Sequence, residues 1–282
     1  NVIDSDGILL SAHDPHPGKE FIASTDERFR PVFLASGPDG ALYVADMYHG
    51  LIQHGAYVTP YLREQTISRG LTQPVHCGRI WRIVPDDWSP SNYKKLSNAS
   101  PNELVEYLSN PNGWHRDMAQ RLLVERNDKS AEKPLTDLAL NGENYLGRFH
   151  ALWTLEGLGL LKPVLLFQAL KDSNTLIKTT SLRLLESFVK KDKGIQTKLG
   201  AELAATWNTA PIEKVLQIAL TSDFLDPKIS HLILGGIAEK YNSSPLIRDA
   251  ILSSLEDREF AFLQQLWKSD QWKASTPDKE IF

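Results

Sequence analysis

The hydrophobic period of this chain changes once, between about residues 95 and 102, from about two to about 3.6, and that change limits what it can fold into. Upstream, the runs Gly7-Ile8-Leu9-Leu10, Glu20-Phe21-Ile22-Ala23 and Pro31-Val32-Phe33-Leu34-Ala35 are bounded by Gly, Pro and Asp and read as strands. Gly37-Pro38-Asp39-Gly40 is a turn signal, because Pro presets φ and Gly40 can take positive φ; Ala41 to Asp46 then resumes a β pattern, which predicts a hairpin. Gly78 to Val84 alternates charged and apolar residues and reads as a closing strand, with Ile80 and Ile83 near the buried face and the arginines mostly in solvent. Residues 85–101, which include Pro85, Asp86, Asp87, Pro90, Asn98 and Pro101, are rich in loop formers and separate a 1–95 domain from a 96–282 domain.

Downstream, Ile212, Val215, Leu216, Ala219 and Leu220 mark one helical stripe and Ile177, Ser181, Leu184, Leu185 and Phe188 another. Further helices are predicted at 102–109, 114–126, 144–158, 162–170, 195–206, 228–240, 245–255 and 258–268. A basic/small/Leu pattern recurs as Arg116-x-x-Ala119-x-x-x-Leu123, Arg148-x-x-Ala151-x-x-x-Leu155 and Lys178-x-x-Ser181-x-x-x-Leu185, with the small positions 32 and 30 residues apart. That period holds two helices and two turns and is shorter than the roughly 40 to 47 residues of HEAT and armadillo units, so the helical part reads as an α-solenoid of HEAT-like repeats. The few strands before it cannot bury both faces alone, and repeated four-stranded sheets are the unit of a propeller. The expected fold is therefore a β + α multidomain chain: a partial β-propeller, its last blade or so, followed by the solenoid.

Composition narrows the partners. With 41% hydrophobic and 23% charged residues and a net charge of −4, the chain carries no polyanion-binding excess, which argues against nucleic acid. No run approaches the roughly 18 to 20 apolar residues of a membrane span, since Leu158 to Leu170 is interrupted by Lys162 and Pro163. The single cysteine, Cys77, excludes an internal disulfide, a Cys-pair zinc site and the C-x-x-C-H of a c-type haem within these residues. Residue 1 is Asn and the first methionine is Met47, which points to a natural start outside this sequence.

Asp26-Glu27-Arg28-Phe29-Arg30-Pro31 puts four charges around one aromatic before a strand. It reads either as a solvated loop or, with Arg28 and Arg30 two apart on an extended segment, as two guanidinium forks for a carboxylate-bearing ligand. His49 and His54 follow the next strand; with no third ligand they read as surface or cavity-lining residues rather than a metal site, so no metal is expected. His54, Tyr57 and Tyr61 form a candidate mouth for a sugar, whose ring suits aromatic faces. His13-x-x-His16 sits among Pro15, Pro17 and Gly18, and Cys77 beside His76 on an extended chain points away from it, so neither pair is expected to do chemistry. Trp114, and the trio His150, Trp153 and Glu156, read as packing residues of helices, with Asn112 as a helix N-cap.

The stretch RFRPVFLASGPDGALYVADMY, Arg28 to Tyr48, resembles the arginine-aromatic-arginine, proline-aspartate-glycine and leucine-tyrosine-valine signature of soluble quinoprotein glucose and aldose-sugar dehydrogenases. That resemblance implies that Arg28 and Arg30 bind the carboxylates of pyrroloquinoline quinone (PQQ). The family's catalytic histidine and calcium ligands have no match here, and Pro31 stands where a polar residue is usual. A longer resemblance, over residues 20 to about 190 and including ASTDERFRPV, DMYHGLIQH, TPYLREQ, GRIWRIVP and NGWHRDMAQRLLVER, is to the large dehydrogenase-like proteins of planctomycetes, verrucomicrobia and bacteroidetes. It implies a propeller, HEAT-like repeats and a downstream haem c domain of C-x-x-C-H type, a periplasmic or otherwise extracytoplasmic location, a sugar or alcohol substrate, and a cytochrome or other protein partner. The competing expectation is a non-catalytic carbohydrate- or protein-binding propeller with a helical interaction scaffold.

Overall fold

A computed structural model describes residues 2–89 and 95–269. The strands are β1 (Val2–Asp6), β2 (Leu9–His13), β3 (Pro31–Ser36), β4 (Leu42–Asp46) and β5 (Arg79–Ile83). The helices are α1 (Pro60–Ser68), α2 (Pro101–Tyr107), α3 (Gly113–Arg126), α4 (Glu132–Asn141), α5 (Tyr145–Gly157), α6 (Pro163–Ala169), α7 (Thr175–Val189), α8 (Lys193–Thr206), α9 (Ile212–Thr221), α10 (Pro227–Lys240), α11 (Pro245–Ser253) and α12 (Glu259–Leu266). Part of the sequence-predicted linker, residues 90–94, lies outside the described residues, as do the last thirteen residues, 270–282, of the predicted helical domain.

The expected partial β-propeller followed by an α-solenoid is corrected to a few N-terminal strands and then a helical region. Among the described residues 55% are helical, the strands form separate sheets of two and three strands, and no propeller closes. Two local causes are visible. Glu20–Ala23 forms no strand, following a segment broken by Pro15, Pro17 and Gly18. Between β4 and β5, where a blade would continue as sheet, the chain instead makes α1, started by the Thr59 hydroxyl accepting from the Leu62 N–H and by Pro60 in the first turn.

Contacts divide the chain into two compact units, one of residues 14–121 and one of the stretch up to His13 together with residues from 122 on. In the 14–121 unit, β3, β4 and β5 form an antiparallel sheet in that order, with Leu34 opposite Val44, Val44 opposite Trp81 and Asp46 opposite Arg79. The Gly37–Gly40 turn forms as predicted, with Gly40 at φ 79°. Asp39 accepts from the Ala41 N–H (3.1 Å), the Tyr43 hydroxyl (2.9 Å) and Arg82 (2.5 Å), which hold its carboxyl below the usual range against the opposing effect of burial. The start of α3 closes over this turn, with Asn112 Nδ2 donating to Gly37 O (2.9 Å) and His115 Nε2 at 2.9 Å from Pro38 O.

In the other unit the helices alternate between two layers. In one layer α5, α7, α9 and α11 pack in chain order; in the other α4 meets α6, and α8, α10 and α12 follow one another. The recurring sequence pattern has a common physical basis here. Ala151 and Ser181 are fully buried small residues, and Leu155 and Leu185 one turn later are fully buried large ones. Each helix begins at an Asn whose side chain accepts an N–H, Asn144 from Leu146 and Asn174 from Leu176, both at 2.9 Å. Arg148, the basic residue of its copy, folds back on the preceding loop, onto the carbonyls of Gly142 (2.6 Å) and Glu143 (3.2 Å).

Glu186 of α7 is the acidic group of a polar junction with α9, accepting from the Thr221 hydroxyl (2.8 Å) and Gln217 Nε2 (3.1 Å). Burial nevertheless pushes its carboxyl above the ordinary value, outweighing those donors and the nearby Arg183 and Lys190. A carboxyl whose folded pKa is raised holds its proton longer in the native state. Its contribution to stability is therefore fully present below the unfolded pKa and is lost as pH rises through the folded value. The Glu186→Gln variant keeps an acceptor for both donors and cannot ionise. Its melting temperature is expected to gain on the wild type as pH rises from the unfolded carboxyl's value, about 4.3, through the raised folded one; a wild-type-minus-variant difference independent of pH would show that Glu186 ionises without penalty.

Candidate functional site

The residues that resemble a quinoprotein signature gather at one end of the β3–β4–β5 sheet, where β4 ends and β3 and β5 begin. Asp46, the last residue of β4, is 2% exposed, and its carboxylate organises this end. One oxygen accepts from the backbone N–H groups of Arg30 and Tyr48, both at 2.8 Å; the other accepts from the Trp81 indole (3.0 Å) and lies 3.4 Å from Arg79 Nε. Burial alone would raise its pKa, but these donors outweigh it and hold the carboxyl below the usual range. Tyr48 is turned by a left-handed backbone (φ 47°), and its hydroxyl bonds Asp26. That bond raises the phenol's pKa, while Asp26 is lowered first by the Arg28 N–H and then by Tyr48. Arg79 lies over the Tyr48 ring at 3.6 Å and reaches Asp26 at 3.7 Å, so cation, ring and two carboxylates interlock.

Arg28 and Arg30 are brought to this end but are not side by side on a strand. The Phe29 N–H bonds Asp26 O at 3.0 Å and the Asp26 carboxylate accepts the Arg28 N–H, which makes Asp26 to Phe29 a turn. The i, i+2 geometry of an extended segment is therefore absent. Arg28 donates through Nε and Nη2 to Gln73 O (3.1 and 2.9 Å) and through Nη2 to Gly70 O (2.7 Å), with Nη1 at 3.9 Å from Asp26. Arg30 donates to Phe29 O (2.9 Å) and Gly50 O (3.2 Å). As folded, Arg28 Nε and Nη2 and Arg30 Nη1 and Nη2 donate to main-chain carbonyls, so the pair is not presented as two open forks for the carboxylates of PQQ.

The candidate sugar mouth is only partly assembled. His54 Nδ1 accepts the Ala56 N–H (3.3 Å) and its ring lies 5.7 Å from that of Tyr57, while Tyr61 stands in the first turn of α1; Tyr57 and Tyr61 are exposed. His49 is half-buried, with Nδ1 lacking a hydrogen-bond partner among the described residues. Those residues contain no group of three or more His, Cys, Asp or Glu able to hold a metal ion. Cys77 is exposed and free. His115 and His150 are buried in α3 and α5, and Trp153 lies 6.4 Å from Phe149, ring to ring.

Sequence reasoning missed Arg79 and Trp81. It put Ile80 and Ile83 on one face, yet a strand's period of two places Arg79, Trp81 and Ile83 together, and Ile80 is 75% exposed. Phe29, Val44, Trp81, Ile83 and Ile22 line a cavity of about 230 Å³ on this face, with Phe29 and Trp81 edge to face at 6.5 Å. Its walls suit an apolar or aromatic group.

A model of a domain of unknown function, DUF7133, matches residues 1–87. No curated protein matches the chain, and no solved structure does.

Proposed function

We propose that this chain is a framework segment of an extracytoplasmic, quinoprotein-like sugar or alcohol dehydrogenase, which it serves as scaffold rather than as the holder of the quinone. The likeness of Arg28 to Tyr48 to quinoprotein dehydrogenases supports the class of enzyme. One observation supports the framework role: the charged groups of that stretch bond one another and the main chain, with Asp46, Arg28 and Arg30 each tying loops together. The layered helices are the part that meets a cytochrome or other electron-accepting protein, a role such two-layer arrays perform with long continuous surfaces. No helix among the described residues is long and apolar enough to cross a membrane.

The test is to capture the chain with its natural associates and compare that assembly with the isolated chain for PQQ- and sugar-dependent reduction of a dye. Activity is expected in the captured assembly and not in the isolated chain. Activity in neither would overturn the dehydrogenase reading, and turnover by the isolated chain would overturn the framework role. A protein-binding platform unconnected with redox chemistry is the second reading, favoured by Val32, Phe33 and Leu34, which β3 leaves exposed at the sheet edge.

A further inference from the structure

We infer that Arg28 and Arg30 are paired loop ties, which hold the 46–50 turn and the 70–73 loop against each other, and that neither serves as a carboxylate fork. Arg28 reaches 42 to 45 residues along the chain to chelate Gln73 O and bond Gly70 O. Arg30 reaches 20 residues to Gly50 O, and its own N–H is held by Asp46. The two loops they grip are in contact, because a Cβ on Gly50 would stand 2.4 Å from Leu71 O and 2.5 Å from Leu71 Cβ. The result is a closed circuit: Arg30 to Gly50, Gly50 against Leu71, and the carbonyls on either side of Leu71 to Arg28.

The donor inventory makes this specific to arginine. Arg28 places its Nε–H and one Nη2–H on Gln73 O and the second Nη2–H on Gly70 O, and a lysine ammonium on a flexible stem cannot reproduce that planar reach. Arg28 is also flanked by Asp26 at 3.9 Å, which would repel an incoming carboxylate. The inference stands on these contacts and is independent of the dehydrogenase reading.

Hydrogen exchange on the full chain tests it. The reporters are the amides of Arg69, Gly70 and Leu71, which bond Gln65 O, Ile67 O and Thr66 O. Both Arg28→Ala and Arg28→Lys are expected to speed their exchange by about tenfold or more, with the β4 amides changed much less. If the Ala variant loses protection throughout the unit, a local loss in the Lys variant carries the same meaning. Unchanged exchange at 69–71 in both variants would overturn the inference. So would PQQ deprotecting those amides in the wild type but not in Arg28→Ala, since that would mean the quinone draws the guanidinium away from its carbonyls.

Discussion

Asp46→Ala is expected to unfold the β3–β4–β5 end of the 14–121 unit or bring it close to unfolding. The substitution leaves the Arg30 and Tyr48 amides and the Trp81 indole without their acceptor and Arg79 without its nearest carboxylate. Breaking a buried charged network by removing one partner costs about 3 to 5 kcal/mol, because the groups left behind stay dehydrated. That converts to roughly a hundred- to a few-thousand-fold loss of exchange protection at the strand amides. Asn is no remedy: Asp46 accepts on both oxygens, so either orientation of the amide turns an NH₂ group toward existing donors. The depressed pKa fixes the sign with pH. The stabilisation is present above the carboxyl's unfolded pKa and is lost as pH falls through the folded one. Protection within about twofold of wild type in Asp46→Ala would mean that the sheet end is held by something other than this carboxylate.

How much of this was legible in the sequence depended on whether the signal was local. The Pro38-Asp39-Gly40 turn and the strand after it needed only their own residues, and both formed. Most helices fell within a few residues of the predicted spans, since an apolar stripe and an Asn cap are read from adjacent turns. The helix Glu132–Asn141 was not among the predicted spans; its Pro134 stands in the first turn, where a proline forfeits no intrahelical bond. The helix Pro60–Ser68 was overlooked although Thr59-Pro60 is itself a start signal, because its surroundings read as β. Arg28 and Arg30 depended on long-range partners. The Asp26 turn beneath them is a local contact in a stretch that can also be read as extended, but nothing within six residues of either reveals that the carbonyls of Gly50, Gly70 and Gln73 lie within reach. The propeller expectation failed for a related reason: strand count and spacing do not report which strands pair, and these pair as two separate sheets.

In the helical unit, Leu185→Ala is expected to be the damaging change and Ser181→Ala, one turn away on the same helix, a mild one. Both side chains are fully buried. Leu185 fills the interior between layers, where truncating a large apolar side chain costs about 2 to 5 kcal/mol as transfer energy and cavity combine. The Ser181 hydroxyl donates to Ile177 O at 2.8 Å, four residues back, so it bonds a carbonyl that the helix ladder also uses. Removing that hydroxyl strands no donor and makes a hole of one atom, for an expected change within about 1 kcal/mol. Ser181→Leu reverses the logic. The position is fully buried, and forcing in three more carbons is expected to cost about 1 to 3 kcal/mol or more through displaced neighbours. Denaturant unfolding followed by helical circular dichroism separates the three variants, with midpoints expected in the order Ser181→Ala, then Ser181→Leu, then Leu185→Ala. Equal midpoints for Ser181→Ala and Ser181→Leu would show that the helices can move apart at this point, and the small residue of the recurring pattern would then owe its place to something other than close packing.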